Sequence, residues 1–240
     1  MQTPDLSTDL KKILARGGIE FLAVLLGISG SLWIENNKEI AELELEKRMV
    51  FNLIQKEIDQ IIVYSESKIQ EYQIQTTRIE NLRDNWDVFE FDTISDPQSY
   101  YEDVWYTYVK GYDPDFTTYE ALKSDGRINL LGIDIRKKMG KFYEDYTKWK
   151  RVELNENEMR NDLNRYIANN QPKAYKKFPI INGTNFFKFL ELAKNDDSIF
   201  TYFTQKSMFA IGRNRRVKEY LKNLYEIKEL IDQEIAILDS

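Results

Sequence analysis

The sequence predicts an all-α fold, in which one N-terminal transmembrane helix continues into an elongated antiparallel bundle of three long helices and several short ones. Three observations lead to this prediction. The 240 residues include 10 glycines and 5 prolines, about half the usual share of residues that interrupt helices. Residues 35–86 contain neither of the two. Residues 17–34 form an apolar run in which Glu20 is the only charged side chain.

The apolar run at 17–34 is the predicted transmembrane helix. Eighteen helical residues extend roughly 27 Å, close to the thickness of the hydrocarbon core of a bilayer. Trp33 lies near its end, where an amphipathic ring suits the membrane interface. Two other interpretations remain open at this point. The run could be the apolar part of a cleaved signal peptide, or a helix that is buried inside the protein.

The distribution of basic residues predicts the orientation of the chain. Lys11, Lys12 and Arg16 immediately precede the run, whereas the first basic residue after it is Lys38. Basic residues favour the cytoplasmic side of a membrane. We therefore expect residues 1–16 to be a cytoplasmic segment, 17–34 to cross the inner (cytoplasmic) membrane once, and 35–240 to form a helical extracytoplasmic domain.

One face of the predicted membrane helix carries small residues. Ala23, Gly27 and Ser31 recur every four residues, and Glu20 lies on the same face. Small residues at this spacing allow two membrane helices to approach closely, and an ionisable group in a membrane helix suggests a functional role. We expect Glu20, Ala23, Gly27 and Ser31 to form a helix-pairing face. The alternatives are a membrane helix of ordinary composition and a Glu20 that points toward the interface.

The region 86–119 is rich in aromatic residues and follows the long helix predicted for 35–86. Aromatic side chains at this density can line a ligand pocket or pack the end of a bundle. The candidate pocket residues are Trp86, Tyr101, Trp105 and Tyr108.

The second half of the chain predicts two more long helices and several short elements. Thr117 and Glu120 match a capping box, and Gly126 is placed to end that short helix. Asp134 is expected to cap the second long helix, whose apolar residues follow heptad steps. Pro172 and Pro179 are expected to bound a loop. Residues 199–209 are expected to form a short helix before the last long one.

Two charged clusters are expected to be solvent-exposed. The acidic cluster consists of Glu153, Glu156 and Glu158 on the second long helix. The basic cluster consists of Arg213, Arg215, Arg216 and Lys218 at the start of the last one. No metal site is predicted at the acidic cluster, and phosphate binding by the basic cluster is the less favoured alternative.

Composition excludes several classes of function. The chain has no cysteine and no histidine, which removes thiolate zinc sites, cysteine nucleophiles, histidine-ligated metals and the usual near-neutral proton shuttle. The net charge of −6 argues against a nucleic-acid partner. We expect no enzymatic activity and no cofactor.

Two segments of the sequence resemble an uncharacterised bacterial family of single-pass membrane-anchored proteins with a helical extramembrane body. The first is GIEFLAVLLGISGSLWIENNKEIAELELEKR, at 18–48. The second is TTYEALKSDGRINLLGIDIRKKMGKFYEDY, at 117–146. The resemblance implies a single membrane anchor and a helical body, and it carries over no activity, substrate or catalytic residue.

These observations favour a non-enzymatic membrane protein whose helical domain mediates protein interaction or scaffolding. The expected partners are the lipid bilayer and either a second copy of this chain or another membrane protein. Two alternatives remain: a ligand-binding or sensor module that uses the aromatic region 86–119, and a subunit of an ion-coupled membrane complex that uses Glu20.

Overall fold

The computed structural model describes residues 6–105 and 111–239, and for 6–20, 22 and 23 it describes the backbone alone. Within this part of the chain the structure is all-helical, as predicted. It contains seven α-helices: α1 (Leu6–Asp84), α2 (Pro97–Trp105), α3 (Thr117–Ser124), α4 (Ile133–Asn170), α5 (Pro172–Lys177), α6 (Gly183–Ala193) and α7 (Asp197–Asp239). Single 3-10 turns lie at Phe91–Thr93 and Arg127–Leu130.

The chain divides into two compact units, 1–50 and 51–240. The described residues of the first unit belong to the N-terminal part of α1. Every described side chain from 24 to 45 in this unit is exposed to solvent. Among the residues whose side chains are described, no helix has a stretch long and apolar enough to cross a membrane. The predicted span 17–34 includes residues 17–20, 22 and 23, whose side chains lie outside that description.

The second unit is a bundle of the three predicted long helices, namely α4, α7 and the C-terminal part of α1. Side-chain contacts show that α7 runs antiparallel to both of the others. Along α1, Gln55 contacts Asp232 and Arg83 contacts Ser207. Along α4, Lys138 contacts Glu226, and Glu156 contacts Arg213.

Short helices and aromatic residues close one end of this bundle. Trp86, two residues after the end of α1, packs against Phe203 of α7 at 5.5 Å between ring centroids. Its indole Nε1 donates a hydrogen bond to the carbonyl oxygen of Lys194, at 2.9 Å. Rings from the first 3-10 turn, α2 and α6 complete one buried apolar cluster. Burial of this aromatic area stabilises the fold by the hydrophobic effect.

Three of the predicted boundaries are wrong. Gly132, not Asp134, is the N-cap of α4, and it makes no side-chain hydrogen bond as a cap. The stretch between Pro172 and Pro179 contains the short helix α5, because proline is well suited to the first position of a helix. Residues 199–209 belong to α7 without a break.

The capping box predicted at Thr117 and Glu120 is also wrong. The N-terminus of α3 is instead capped by Glu57, a buried residue of α1. Its two carboxylate oxygens accept hydrogen bonds from the backbone N–H groups of Thr118, at 2.5 Å, and Tyr119, at 3.0 Å. At the other end of α3, Gly126 adopts φ 83°, which confirms its predicted left-handed conformation.

Candidate functional site

The centre of the bundle contains a cluster of buried charged residues that we call the core charge cluster: Glu156 of α4 and Lys206 and Arg213 of α7. The Arg213 guanidinium forms an ion pair with Glu156 Oε2. Lys206 Nζ lies 3.7 Å from Glu156 Oε1. All three side chains are at most 2% exposed. Buried charges are costly unless they are paired and hydrogen-bonded. We therefore expect polar groups around this cluster that satisfy its remaining hydrogen bonds.

Polar groups from α1 and α2 surround the core charge cluster. Gln75 accepts a hydrogen bond from Arg213 Nη1 at 2.7 Å, and its amide nitrogen donates to the carbonyl oxygen of Asp103 at 2.8 Å. The Asp103 carboxylate forms an ion pair with Arg78. The Arg213 guanidinium also lies 5.2 Å from the centroid of the Tyr72 ring. Helices α1, α2, α4 and α7 therefore meet through one connected polar network.

Burial changes the proton affinity of several of these groups. Desolvation lowers the pKa of Lys206 from its ordinary 10.5 to about 7, an effect that the negative charge of Glu156 opposes. Desolvation likewise raises the pKa of Glu153, which lies next to the cluster on α4. Perturbed groups of this kind occur at functional sites and in structural ion-pair networks alike.

A solvent-facing cavity of about 500 Å³ adjoins the core charge cluster, and we call it the polar cavity. Arg213 and Glu156 belong to its lining, together with Lys68, Asp113 and Lys150. Lys150 Nζ lies 3.0 Å from Asp113 Oδ1. A hydrogen bond from Tyr146 holds the pKa of Asp113 below its usual range. The cavity thus combines basic and acidic groups that already form pairs with one another.

Both charged clusters were expected to be solvent-exposed, and for two residues this is wrong. Glu156 and Arg213 are buried, whereas Glu158, Arg215 and Lys218 are exposed. The missed signal is a continuous heptad step. On α7, Lys206, Ala210, Arg213 and Val217 recur at steps of four and three, and all four are buried. On α4 the steps from Trp149 reach Glu153, Glu156 and then Leu163. An acidic residue on α4 and basic residues on α7 thus occupy positions that the heptad spacing assigns to the core. This combination indicates that the opposite charges pair with each other inside the bundle.

The candidate aromatic pocket residues are placed in the packed end of the bundle. Trp86, Tyr101 and Trp105 are buried in the apolar cluster, while Tyr108 lies outside the described residues. Trp105 packs 5.1 Å from Phe186 and 5.5 Å from Tyr202 between ring centroids. The polar cavity is lined by other residues, and a ligand pocket at the aromatic positions stays a prediction.

Of the predicted helix-pairing face, Gly27 and Ser31 are exposed on α1, and the side chains of Glu20 and Ala23 lie outside the described part. Ser31 Oγ donates a hydrogen bond to the carbonyl oxygen of Gly27 at 2.9 Å. Within the residues that the structure describes, no group of three acidic side chains is placed to hold a metal ion.

No protein-family model matches this chain, and neither does any curated protein or solved structure. The resemblance to a family of membrane-anchored proteins therefore stays a prediction, and the function has to be argued from the residues themselves.

Proposed function

We propose that this chain is a non-enzymatic, membrane-anchored interaction protein, with its anchor at 17–34 of α1 and a helical domain that binds other proteins. The observation that carries the proposal is the exposure of large apolar side chains over most of the circumference of the anchor, among the residues whose side chains the structure describes. Leu26 is 70% exposed and Trp33 is 67% exposed. Successive residues of a helix point about 100° apart, so the exposed apolar set covers most of the circumference outside the face of Gly27 and Ser31: Phe21, Val24, Leu25, Leu26, Ile28, Leu32, Trp33 and Ile34.

A helix that exposes large apolar side chains over most of its surface is stable when its surroundings are apolar as well. A bilayer provides such surroundings around a single helix, and the length of the run suits it. The basic residues Lys11, Lys12 and Arg16 support a cytoplasmic N-terminus at the inner membrane and an extracytoplasmic helical domain.

Alkaline carbonate extraction tests the anchor. We expect the full-length chain to stay in the membrane pellet and a chain that starts at Glu39 to be released. Leu25→Arg with Leu26→Arg is expected to shift the full chain to the supernatant, because each arginine costs about 3 kcal/mol at the centre of a membrane helix. Met49→Arg, at an exposed position beyond the run, is the matched control and is expected to stay in the pellet.

Two results would contradict the anchor. Full-length protein in the soluble fraction would favour a buried or partner-covered helix. A mature chain that lacks the first thirty or so residues by mass would favour a cleaved signal peptide. The orientation is tested separately with a reporter that is active only outside the cytoplasm. Fused after Ser240, it is expected to be active, and activity of a cytoplasmic reporter alone would reverse the orientation.

A second candidate function is binding of a small polar ligand, and the polar cavity favours it. Cavities of a few hundred Å³ with a few convergent polar groups are typical of ligand sites. Native mass spectrometry of the purified full-length chain tests this function. The expected result is an added mass that Lys150→Ala removes and that Lys148→Ala, an exposed neighbour outside the cavity, retains. A mass equal to that of the bare chain would contradict it.

A further inference from the structure

The outer surface of α4 carries a stripe of exposed charges that is complementary to itself. The α4 stripe consists of seven exposed residues at alternating steps of four and three: Glu144, Lys148, Arg151, Asn155, Glu158, Asp162 and Arg165. This spacing places them on one face of the helix. Read outward from the central Asn155, every residue on one side has a counterpart of opposite charge at the same distance, within one residue, on the other side.

This order of charges matches a second α4 that runs in the opposite direction. A two-fold axis through Asn155, perpendicular to α4, would place Lys148 opposite the partner copy's acidic residue at 162. The same axis would place Arg151 opposite the position of Glu158, and Glu144 opposite the position of Arg165. Such an isologous contact repeats each pair twice, which gives six pairs of opposite charge. A parallel arrangement would instead bring identical charges together.

The apolar residues beside the α4 stripe obey the same symmetry. Leu154 lies on one side of the stripe and is 61% exposed. On the other side, α4 and α7 form an apolar groove of about 670 Å³, lined by Val152, Met159 and Met208 among others. The two-fold axis lies between the two antiparallel helices and perpendicular to both, so each side of the stripe faces the same side of the partner copy's stripe. It therefore brings Leu154 of one copy toward the same residue of the other copy, and the groove of one copy toward the groove of the other, so that apolar surface meets apolar surface on both sides.

The ion pairs that the stripe makes within one chain do not prevent this contact. Lys148 Nζ lies 2.6 Å from Glu144, and Arg165 Nη1 lies 3.2 Å from Asp162. All four side chains are more than 60% exposed. Exposed pairs within one helix contribute little, about 0.3 to 0.5 kcal/mol each, so their side chains are free to turn toward a partner.

We propose that the α4 stripe is an antiparallel, two-fold contact with a second copy of this chain, in which opposite charges pair along the stripe and the apolar surfaces on its two sides each face their own counterpart. This proposal deepens the proposed interaction function by naming the partner of the helical domain. It does not depend on a membrane anchor.

Cysteine cross-linking tests the symmetry directly, because the chain has no cysteine of its own. A residue on the two-fold axis faces its own copy, so Asn155→Cys in the full-length chain is expected to form a disulfide-linked dimer on oxidation with copper phenanthroline and dissolved oxygen. Asn164→Cys is the matched control, since Asn164 is also an exposed asparagine of α4. It is expected to cross-link at least about tenfold less.

Charge reversal in the Asn155→Cys background tests the pairing. One variant carries Lys148→Glu with Arg151→Glu, and the other carries Glu158→Lys with Asp162→Lys. Each alone is expected to lose cross-linking by about tenfold or more, because four attractive pairs become repulsive. Co-expression of the two variants with different tags is expected to restore a mixed dimer, since the two reversed stripes attract each other. High salt is expected to weaken it.

Recovery of the mixed dimer also shows that both variants fold. Equal cross-linking from Asn155→Cys and Asn164→Cys, or cross-linking that both charge reversals leave unchanged, would overturn the two-fold contact. If either result were found while the full-length chain stays in the membrane pellet after carbonate extraction, only the two-fold contact would be overturned. The proposed anchored interaction function would then still stand.

Discussion

At the scale of single residues, Glu156 is the central group of the bundle. Its carboxylate faces Arg213 on one oxygen and Lys206 on the other. Removal of its charge would leave the buried Arg213 guanidinium without its ion-pair partner and would favour loss of the proton from Lys206, and breaking a buried pair costs more than the pair itself contributes. We expect Glu156→Gln to lower the free energy of unfolding by about 3 kcal/mol, measured by urea unfolding followed by circular dichroism.

Glu158→Gln is the control for this prediction, because Glu158 lies two residues further along α4 and is exposed. We expect it to change stability by less than about 0.5 kcal/mol. If the two substitutions had equal effects, the core charge cluster would not contribute to stability as the geometry indicates.

The same cluster predicts how stability depends on pH. Lys206 faces Glu156, Arg160 and Arg213 as well as the carbonyl oxygen of Trp105, and burial lowers its pKa to about 7. Between this value and the ordinary pKa of lysine, the folded state binds fewer protons than the unfolded state. Stability therefore rises with pH in this window, by up to about 1.4 kcal/mol per pH unit.

Lys206→Met removes this titration. We expect the stability of the natural chain, measured relative to the Lys206→Met chain, to increase between pH 7 and pH 9. The comparison cancels the contributions of titrating groups that do not interact with Lys206, and parallel pH profiles for the two chains would contradict the prediction.

At the scale of elements, Glu57 links α1 to α3. Its buried carboxylate accepts from two backbone N–H groups at the first turn of α3. Glu57→Ala leaves both donors without a partner, so we expect a loss of about 2 kcal/mol in the free energy of unfolding.

Glu120→Ala is the control, and it tests the capping box instead. Glu120 accepts a hydrogen bond from the exposed Tyr143 hydroxyl, and its loss is expected to cost less than about 1 kcal/mol. A larger loss of stability for Glu120→Ala than for Glu57→Ala would support the capping box instead.

The close approach of α6 to α2 depends on the absence of a side chain at Gly183. A Cβ atom there would lie 2.1 Å from the carbonyl oxygen of Pro97. We expect Gly183→Ala to destabilise the chain by about 1 to 3 kcal/mol, because the two helices must move apart. Gly212→Ala is the control. Its Cβ would meet Trp149 at 3.9 Å, an ordinary contact, and alanine is the better helix former by about 1 kcal/mol. In thermal unfolding we therefore expect Gly183→Ala to lower the melting temperature and Gly212→Ala to raise it.

At the scale of the whole molecule, the anchor is expected to pair through Glu20, Ala23, Gly27 and Ser31. A single Ser31→Cys is expected to give disulfide-linked dimers in membranes, and Gly27→Ile is expected to suppress them by keeping the backbones apart. Equal cross-linking from Leu25→Cys, on another face, would mean that this face has no special role. If Glu20 acts in pairing, Glu20→Gln is expected to reduce dimer formation less than Glu20→Leu, because glutamine keeps a hydrogen-bonding group. If Glu20 acts in ion coupling, the two substitutions are expected to impair function equally, because neither side chain can ionise.

The all-helical class and the three long helices follow from local patterns. Residues 35–84 lack helix breakers and repeat apolar residues at helical spacing, and the heptad residues Ile135, Met139, Phe142 and Trp149 are buried as that spacing predicts. Gly126 could also be predicted, because a left-handed turn after a helix requires a residue without a Cβ atom. Each of these features depends on neighbours that are close in the sequence.

The core charge cluster and the cap on α3 depend on the tertiary structure. Glu156 is buried because Arg213, 57 residues further along the chain, supplies its counterion. Glu57 replaces the capping box because the packing of α1 brings its carboxylate to an N-terminus 61 residues away. The sequence alone determined the helical class and the positions of the three long helices, since hydrogen bonds and side-chain periodicity within a helix are local. Which charged residues are buried, and which groups cap which helix, was decided only by the packing of the helices, since desolvation and pairing energies depend on neighbours that are distant in the chain.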